Sequence, residues 1–437
     1  MTSECPMVNQ NPPEINNNCL AALDNYARIQ EFDASKGVAV DPINRPSPLR
    51  TDSDNWFAHR TMAERIPENI ELVASRNDYP QSMASDLRSL ARAIREDDEA
   101  TMFAPPAPDF ESWFESCASV LPATWLHAPW MFAETFAYRK LIEAVRFWET
   151  AIDPFAPMKE DELSGAGPWE LQAEALASDG STEQQIASTL KYSLWGNRID
   201  LSYRDSMHLG SRGHDSELIV DDSAAAAALL ARPGGTVHLA TDNTGSELAA
   251  DLILADRLLS VEACTVVFEV KMHPTYVSDA TAQDVLALVS RMSAHGEGLS
   301  GRTPADAAVR LRKAFEAGRF RIIPHLYWNS SRFLWELPDG ILSALTSARI
   351  LILKGDMNYR RLSGDGLWNS EVPFSTAAGY LPCPVLAVRT LKSDTLMGGP
   401  VDRIARLDRE EPTWRSGGKY GAIQLCMPHA PLDQRPQ

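Results

Sequence analysis

The second half of the chain alternates between short apolar runs and longer segments whose apolar residues recur at helical spacing. Short runs rich in Ile, Leu and Val suit buried strands, and the segments between them suit helices packed on a sheet. The pattern therefore predicts a mostly parallel sheet with helices on both faces. The predicted strands are residues 236–240, 264–270, 319–325, 349–353 and 384–389, with a further one at 422–426. The predicted helices are residues 223–230, 247–259, 281–292 and 334–346.

The first half of the chain instead has helical periodicity almost throughout. Residues 83–94 repeat Leu and Ala at helical spacing, and an aromatic-rich segment predicts a long helix within 125–150. A Pro- and Asp-rich stretch before Trp56 is typical of a linker, and Trp195-Gly196-Asn197 is typical of a turn at a domain junction. The predicted division is an N-terminal extension and linker (1–55), a helical domain (56–202) and an α/β domain (203–437).

Composition and charge limit the classes of function. The 437 residues are 44% hydrophobic and 23% charged, which is typical of a globular protein. A net charge of −18 argues against nucleic acid or an anionic membrane as the main partner. The N-terminus lacks the pattern of a signal peptide, and no apolar tract is long enough to cross a bilayer. The six cysteines lie far apart without zinc-binding spacing, so we expect reduced thiols in a cytoplasmic protein.

Residues 351–365 change abruptly from aliphatic to polar side chains. We expect the polar part to be a loop at the carboxyl end of a buried parallel strand, where open α/β sheets bind their ligands. Its cations, carboxylate, amide and phenol suit an anionic ligand beside a metal. A solvated loop without function is the alternative. The candidate residues in this run are Lys354, Asp356, Asn358, Tyr359 and Arg360.

Two other predicted strand ends carry oxygen ligands for a hard cation. Asp242 and Asn243 follow one strand, and Gly245 would let backbone N–H groups approach an anion at the start of the next helix. Ordinary turn chemistry is an equal alternative, and Glu247 would then serve only the helix dipole. Asp279 precedes a later helix, where it would either cap that helix or complete the cation site.

The end of the predicted strand at 384–389 adds Arg389 and, in the loop that follows, Lys392. Four strand ends would thus deliver a metal site and a ring of cations formed by Lys354, Arg360 and Lys392, which suits phosphoryl chemistry. No Walker A motif or nucleophile elbow is found. The glycine-rich run at 296–301 follows a predicted helix instead of a strand, so a flexible loop is favoured over a dinucleotide site.

Several segments are similar to those of a known family: Asp242-Asn243-x-Gly-x-Glu247, the run from Lys354 to Asp365, Arg389-Thr390-Leu391-Lys392 and, upstream, Ala128-Pro129-Trp130, Asp153-Pro154-Phe155 and the run from Leu194 to Ser202. Together with Glu134 and Arg139 of the predicted helix, they resemble the metal-dependent damage-control phosphatases, in particular the acidic-residue methyltransferase-like branch. The resemblance covers about residues 56–397. Thr244 and Ser246 stand where the family usually has Ala and Phe, which affects the expected substrate more than the expected metal.

The resemblance implies a helical domain packed on a Rossmann-like α/β/α domain. It further implies a divalent metal (Mn²⁺, Mg²⁺, Co²⁺ or Ni²⁺) on Asp242, Asn243 and Asp279. Substrate contacts are implied for Asp356 to Arg360 and for Lys392, with Glu134 and Arg139 reaching in from the helical domain. Family members hydrolyse phosphate esters of sugars and other metabolites, and a methyl transfer from S-adenosylmethionine to protein carboxyl groups has also been attached to this branch.

The predicted function is therefore hydrolysis of a small phosphate monoester, with no nucleic-acid or membrane partner. Asp356 or Glu247 would orient or deprotonate water, or a carboxylate would attack directly, and the sequence leaves these routes open. Three alternatives remain: an S-adenosylmethionine-dependent carboxyl methyltransferase, a diverged metalloenzyme that acts on a specialised metabolite, and a sugar-phosphate sensor without turnover. The predicted catalytic residues are Asp242, Asn243, Asp356 and Glu247.

Overall fold

The computed structural model describes residues 45–103, 107–198, 215–296 and 301–428. Its first part is helical, as the periodicity predicts. The helices there are Trp56–Arg60, Ile66–Arg76, Gln81–Arg95, Phe110–Val120, Trp130–Ala144, Phe147–Thr150, Ala156–Leu163, Gly167–Ala177 and Thr182–Gly196, with a π-helical turn at Thr61–Arg65. No helix within the described ranges is long and apolar enough to cross a membrane. The possible helix at 19–29, the glycine-rich residues 297–300 and the junction after residue 198 lie outside the described residues.

A single seven-stranded sheet organises the second part. The strands are β1 (Leu218–Asp221), β2 (Thr236–Ala240), β3 (Thr265–Lys271), β4 (Phe320–His325), β5 (Ile350–Lys354), β6 (Val385–Thr390) and β7 (Gly421–Cys426). Their order is β1-β7-β6-β5-β2-β3-β4, and every neighbouring pair is parallel except β6 with β7. The predicted mostly parallel sheet is confirmed. Strand β1 is not among the predicted strands.

Helices cover both faces of the sheet, because its central strands are apolar on both sides. In β5, Ile350 and Ile352 pack into one cluster while Leu351 and Leu353 pack into another. The helices that follow the strands are Ser223–Leu230, Ser246–Leu259, Ala282–Met292, Pro304–Glu316, Asp339–Thr346, Gly355–Ser363, Phe374–Ala378 and Val401–Glu410. The predicted helix at 334–346 is instead a 3₁₀ turn at Leu334–Glu336 followed by Asp339–Thr346, because Pro338 disfavours helical geometry at the residue before it.

The chain order reverses between β2 and β5. It runs outward from β2 through β3 to β4, then returns to place β5 on the other side of β2, with β6 next to β5. Such a topological switch point leaves a crevice at the carboxyl ends of the two strands, where α/β folds bind ligands. β6, β5, β2 and β3 are adjacent, so the four strand ends singled out in the sequence lie side by side.

The polar run after β5 is a buried helix, and the expectation of a loop there is wrong. Helix Gly355–Ser363 begins directly after the strand, and all nine of its residues are buried. Gly355 makes this sharp turn possible with φ of +78°, a conformation that side chains with a Cβ rarely adopt. A Cβ on Gly355 would also stand 1.8 Å from Oδ2 of Asp242, so only glycine lets the two strand ends approach this closely.

The helical region contains its own core and also contributes to that of the sheet. Helices from Trp56 to Ala144 share a cluster with Tyr276, Val277 and Met357 from the strand ends. Helix Thr182–Gly196 instead packs in the main sheet cluster, against helix Ser246–Leu259. The boundary near residue 202 stays a prediction, since residues 199–214 are not described.

Candidate active site at the carboxyl ends of the strands

A small pocket of about 50 Å³ opens at the switch point, beneath the helical region. Four strand ends and two helical segments contribute side chains to it. The lining residues are Arg65, Trp130, Glu134, Asp242, Asn243, Tyr276, Asp279, Asp356, Met357, Arg360 and Lys392. Seven of them, Glu134, Asp242, Asn243, Asp279, Asp356, Arg360 and Lys392, are candidate site residues from the sequence, so residues up to 258 positions apart meet in one place.

The ends of β2 and β3 bring together Asp242, Asn243 and Asp279. A backbone bridge joins Asn243 to Asp279, and the Asn243 amide donates to Oδ2 of Asp242 at 3.0 Å. Oδ1 of Asn243 accepts a hydrogen bond from Ser278 Oγ at 2.7 Å. Asp279 does not cap the next helix, because Thr281 is its N-cap. The three side chains are thus held in fixed positions at the pocket wall.

The local charge balance makes this corner favourable for a cation. Burial raises the pKa of Asp242 well above its usual value; the nearby Glu247 and Asp279 carboxylates add to that rise, while Lys271 and Lys392 oppose it. Lys271, the last residue of β3, stands 2.9 Å from Oδ2 of Asp279. A buried carboxylate with a raised pKa binds either a proton or a further cation more favourably than it stays charged alone.

The donor set fits a hard divalent cation. Asp242 and Asp279 supply carboxylates and Asn243 an amide oxygen, the ligand types that Mg²⁺ and Mn²⁺ prefer. No described residue donates to Oδ1 of Asp242, and the Asn243 carbonyl keeps a second lone pair. Within the described ranges no group of three or more His, Cys, Asp or Glu is placed to hold a metal, so a cation here depends on the amide oxygen as well.

Asp356 faces the pocket from the first turn of the helix after β5. Its Oδ1 accepts from Arg389 Nη1 at 2.6 Å and from the backbone N–H of Lys392 at 3.3 Å. Arg389 in turn lies over the Tyr359 ring, 3.6 Å from its centre. One carboxylate oxygen of Asp356 is therefore anchored by β6 and its loop. Lys392 reaches the pocket and donates to the backbone oxygen of Asn197 at 2.6 Å.

Behind this wall lies a fully buried ionic cluster. Lys354 Nζ is 2.8 Å from Oε1 of Glu247 and 3.2 Å from Oδ1 of Asp251. Asn197 donates to Oε2 of Glu247 at 2.6 Å and to Oδ2 of Asp242 at 2.8 Å. Burial lowers the pKa of Lys354, but Asp251 and Glu247 outweigh it, so the pKa is raised and the ammonium form is favoured. Glu247 and Lys354 therefore support the site from behind and do not line it.

A side-chain carboxylate of the protein, that of Glu162, lies at the N-terminus of the helix after β2. Oε1 of Glu162 accepts from the backbone N–H of Ser246 at 2.7 Å. A Cβ on Gly245, which has φ of +67°, would come within 2.1 Å of the Glu162 carboxylate. The sequence predicts that Gly245 lets a bound anion approach the backbone N–H groups here, but a protein carboxylate already takes this position. The anion in the described structure is the Glu162 carboxylate, and it links helix Ala156–Leu163 to the sheet.

The helical region closes the pocket with an ion-pair network around Glu134. Its Oε1 accepts from Arg65 Nη2 at 2.8 Å, and its Oε2 accepts from Arg360 Nη1 at 2.7 Å. Arg360 also makes two hydrogen bonds to Asp365, and its guanidinium lies 3.5 Å from the centre of the Trp130 ring. This network joins the helix that follows β5 to the helical region.

Besides Glu247 and Lys354, three further candidate residues do not line the pocket. Asn358 donates to the backbone oxygens of Lys354 and Thr241, which ties β5 to β2. Tyr359 accepts from the backbone N–H of Met397 at 3.2 Å, and burial raises its pKa. Arg139 forms a bidentate pair with Asp109 inside the helical core.

Sequence reasoning missed several residues that shape the site. Arg65 carries no motif, and only the fold brings it to the pocket; Trp130 belongs to a segment that resembles the family, but it was not among the candidate site residues. Lys271 could have been noticed as a charged residue at the end of a buried apolar strand. Tyr276 and Val277 adopt φ of +50° and +67°. A β-branched residue in that region is strained, and such strain clusters at functional sites.

Comparison with known proteins identifies the family of this chain. A family model described as the damage-control phosphatase ARMT1-like domain matches residues 61–407. Damage-control phosphatase ARMT1 of Mus musculus is 30% identical over 439 residues, covering 88% of this chain and 99% of the relative. The protein of the same name from Danio rerio is 25% identical over 450 residues, covering 88% and 98%.

A solved structure of a DUF89 family protein from Pyrococcus horikoshii gives a TM-score of 0.43 at 15% identity, covering 84% of this chain and 96% of that chain. That likeness is too low to inform on the fold or the site. The family match is independent of it, because it spans most of the chain and includes every pocket-lining residue. The chain therefore belongs to the ARMT1-like damage-control phosphatase family, as its motifs predict.

Proposed function

We propose that this protein hydrolyses a small phosphate monoester, a sugar phosphate or a damaged phosphometabolite, with a divalent metal at Asp242, Asn243 and Asp279. The observation that carries the proposal is the convergence of these three oxygen donors with Asp356 and Lys392 in one pocket at the switch point. The name shared by its relatives, damage-control phosphatase, supports the same reaction class.

The polar residues of the pocket would have two roles in this reaction, holding the metal and offsetting the charge of the phosphoryl group. A bound Mn²⁺, Mg²⁺, Co²⁺ or Ni²⁺ would supply Lewis-acid polarisation of the phosphoryl oxygens. Asp242, Asn243 and Asp279 would hold that ion. Lys392 would offset negative charge on the transferring phosphoryl group, since its ammonium reaches the pocket from the loop after β6.

Asp356 is better placed than Glu247 to act on the attacking water. The Oδ1 of Asp356 is anchored by Arg389, while its side chain lines the pocket. Glu247 is fully buried and engaged by Lys354, so it cannot reach a water beside the substrate. Asp356 would take a proton from water as the water oxygen bonds to phosphorus, and the ester oxygen would leave with its electron pair and be protonated by solvent water.

The pocket also limits the substrate. Its small volume fits a phosphate group and the first atoms of the ester, and Trp130 and Tyr276 in its lining supply aromatic surface for a compact organic portion. Thr244 and Ser246 are fully buried and do not line the pocket. Their departure from the usual family residues therefore bears on the site only through packing.

The test is phosphate release from a panel of sugar phosphates by protein stripped with a chelator and reloaded with each metal. We expect activity to require the metal, and Asp242→Ala to lower kcat/KM by about 1,000-fold or more. Asp86→Ala, an exposed aspartate on helix Gln81–Arg95, is the matched control and should behave as wild type. Equal rates for wild type and Asp242→Ala would contradict the proposal, as would full activity in the chelator.

A further inference from the structure

A second cavity lies beside the active-site pocket and is the larger of the two. Its volume is about 330 Å³, against about 50 Å³ for the pocket, and pockets that bind small molecules measure about 300–1,000 Å³. Helix Ala156–Leu163, the end of β3 and the start of helix Ala282–Met292 enclose it. None of the candidate site residues predicted from the sequence lines this cavity, so the proposed reaction leaves it unused.

Two buried lysines line the cavity, and one of them has all its donors engaged. The Nζ of Lys159 lies 2.8 Å from Oδ2 of Asp153 and 2.8 Å from Oδ2 of Asp284. It also donates to the backbone oxygen of Asp279 at 3.3 Å. An ammonium group has three N–H donors, so these three acceptors saturate Lys159.

Lys271 is equally buried but has one partner. Its side chain is 2% exposed, and its Nζ stands 2.9 Å from Oδ2 of Asp279. No other described group pairs with this ammonium or accepts a hydrogen bond from it. Two of its three N–H donors therefore depend on a group inside the cavity, because a buried donor without an acceptor costs free energy.

The rest of the lining determines what that group can be. The other charged side chains are paired among themselves, Lys159 with its two aspartates and, at the exposed end, Arg291 with Glu160. The remaining walls are mainly apolar, which favours an apolar body behind an anionic head. The apolar lining residues are Phe147, Ala151, Ala156, Leu163, Met272, Pro274, Ala282, Ala287 and Pro324.

We propose that this cavity binds a small carboxylate with a short apolar body, whose carboxylate accepts hydrogen bonds from Lys271. A single negative charge suits the site, because one ammonium with two open donors matches the two oxygens of one carboxylate. A phosphate ester is less well matched. Its dianion would bring a second negative charge into a cavity that Asp153 and Asp284 also line.

The pair of Lys271 with Asp279 connects this cavity to the pocket, because Asp279 lines the pocket and Lys271 lines the cavity. A divalent cation held by Asp279 would repel the Lys271 ammonium, and a carboxylate bound to Lys271 would offset that repulsion. The carboxylate and the cation should therefore strengthen each other's binding by the same factor, because coupling between two sites is reciprocal. This coupling rests on the proposed metal site, whereas the carboxylate site does not.

The probe is hexanoate, titrated by calorimetry into the metal-free full chain after the chelator has been dialysed away. We expect saturable binding, and hexanamide, which has nearly the same shape without the charge, should bind about 10-fold more weakly or worse. Lys271→Met should weaken hexanoate binding by a similar factor. Ala287→Phe fills the exposed end of the cavity and should abolish binding. Leu286→Phe is its matched control, because Leu286 is an exposed neighbour on the same helix that does not line the cavity.

Absence of saturable hexanoate binding would overturn the carboxylate site, as would equal binding of hexanamide or undiminished binding to Ala287→Phe. If Lys271→Met does not fold, because Asp279 loses its cation, the comparison of Ala287→Phe with Leu286→Phe decides. Saturating Mn²⁺ should tighten hexanoate binding by about fivefold or more, and an unchanged affinity would overturn the coupling. Phosphate release is measured separately: a wild type that binds hexanoate but hydrolyses no phosphate ester would contradict the proposed function alone.

Discussion

Two layers of polar side chains at the switch point have similar chemistry and opposite surroundings. The pocket layer consists of Asp242, Asn243, Asp279, Asp356 and Lys392, and all five residues line the cavity. The buried layer consists of Asn197, Glu247, Asp251 and Lys354, and none of them lines it. Each layer contains carboxylates, an amide and a lysine, so residue type alone does not distinguish them.

The difference lies in what neutralises the charges. In the buried layer Lys354 is paired with both Glu247 and Asp251, and none of the three side chains lines the cavity, so these charges are arranged around a protein lysine and not around a ligand. In the pocket layer burial, together with the Glu247 and Asp279 carboxylates, raises the pKa of Asp242, and the side chain of Asp242 lines a cavity. We propose that the buried layer serves stability and position, while the pocket layer is arranged to bind charge from outside.

The largest expected effect comes from Lys354→Met. Removing the lysine leaves Glu247 and Asp251 buried without their cation, which should lower the free energy of unfolding by about 3–5 kcal/mol. The control is Lys392→Met in the pocket layer, which should abolish most activity with a much smaller loss of stability. Denaturant unfolding measures both variants. Equal destabilisation would show that the two layers do not differ in the way described.

The second effect is a pH dependence that belongs to the buried layer. Burial raises the pKa of Asp251 to about 6, against the opposing effect of Lys354. Between about pH 4 and pH 6 the folded protein keeps a proton on Asp251 that the unfolded chain has released. The stability contributed by this group is therefore highest at low pH and falls as the pH rises through that window.

Asp251→Asn removes this titration and so measures it. A pKa raised by about two units corresponds to roughly 3 kcal/mol. The stability of wild type relative to Asp251→Asn should fall by about that amount from pH 4 to pH 6 and stay constant above pH 6.5. Chemical denaturation at a series of pH values tests this in chelator, which excludes metal binding. A constant difference across the range would contradict the raised pKa.

A third, smaller effect is expected at Asn197, which bridges the two layers. Asn197→Ala removes donors to both Asp242 and Glu247, which should cost about 1–3 kcal/mol and displace Asp242. Asn69→Ala is the matched control, because Asn69 is also buried and donates to Tyr138 in the helical core. Both variants should lose stability, but only Asn197→Ala should lose metal affinity. If calorimetry gives the same metal affinity for Asn197→Ala and Asn69→Ala, Asn197 does not contribute to the metal site.

The smallest expected effect is a difference in KM between variants of two residues in helix Trp130–Ala144. Glu134 lines the pocket, whereas Arg139 is paired with Asp109 in the helical core. Arg139→Lys should change KM by no more than about twofold. Glu134→Gln should change KM more, because it loosens both arginines of the network. Steady-state kinetics measures KM for both variants. A larger change in KM for Arg139→Lys than for Glu134→Gln would show that Arg139 contributes to substrate binding.

The sheet could be predicted well because its signal is local. Each predicted strand agrees with the structure to within a residue or two, since short aliphatic runs bounded by polar residues have few other buried arrangements. The exceptions needed tertiary information. Strand β1 has four residues and gains its partner from β7, some 200 residues later. The polar segment 355–363 forms a buried helix, because neighbouring charges satisfy side chains that would otherwise require water.

The candidate site divides in the same way. Asp242, Asn243, Asp279, Asp356 and Lys392 could be named from the sequence, because parallel strands place their carboxyl ends along one edge. The roles of Glu247 and Lys354 could not, since a charged residue in a motif looks the same whether it faces a ligand or a buried partner. Arg65 could not be found at all, because a π-helical turn has no sequence signature comparable to a strand or cap.

What the sequence determined by itself is the set of chemical groups and the order of the strands' polar ends, because residue types and their periodicity are local properties. What only the tertiary structure decided is which groups face the pocket. Because the chain returns to place β5 beside β2, Gly355 lies against Asp242 and Lys354 is buried behind the pocket wall. Packing of the helical region then set Arg65 over the opening. Burial and charge pairing are set by neighbours distant in the chain, so they are not local properties of the sequence.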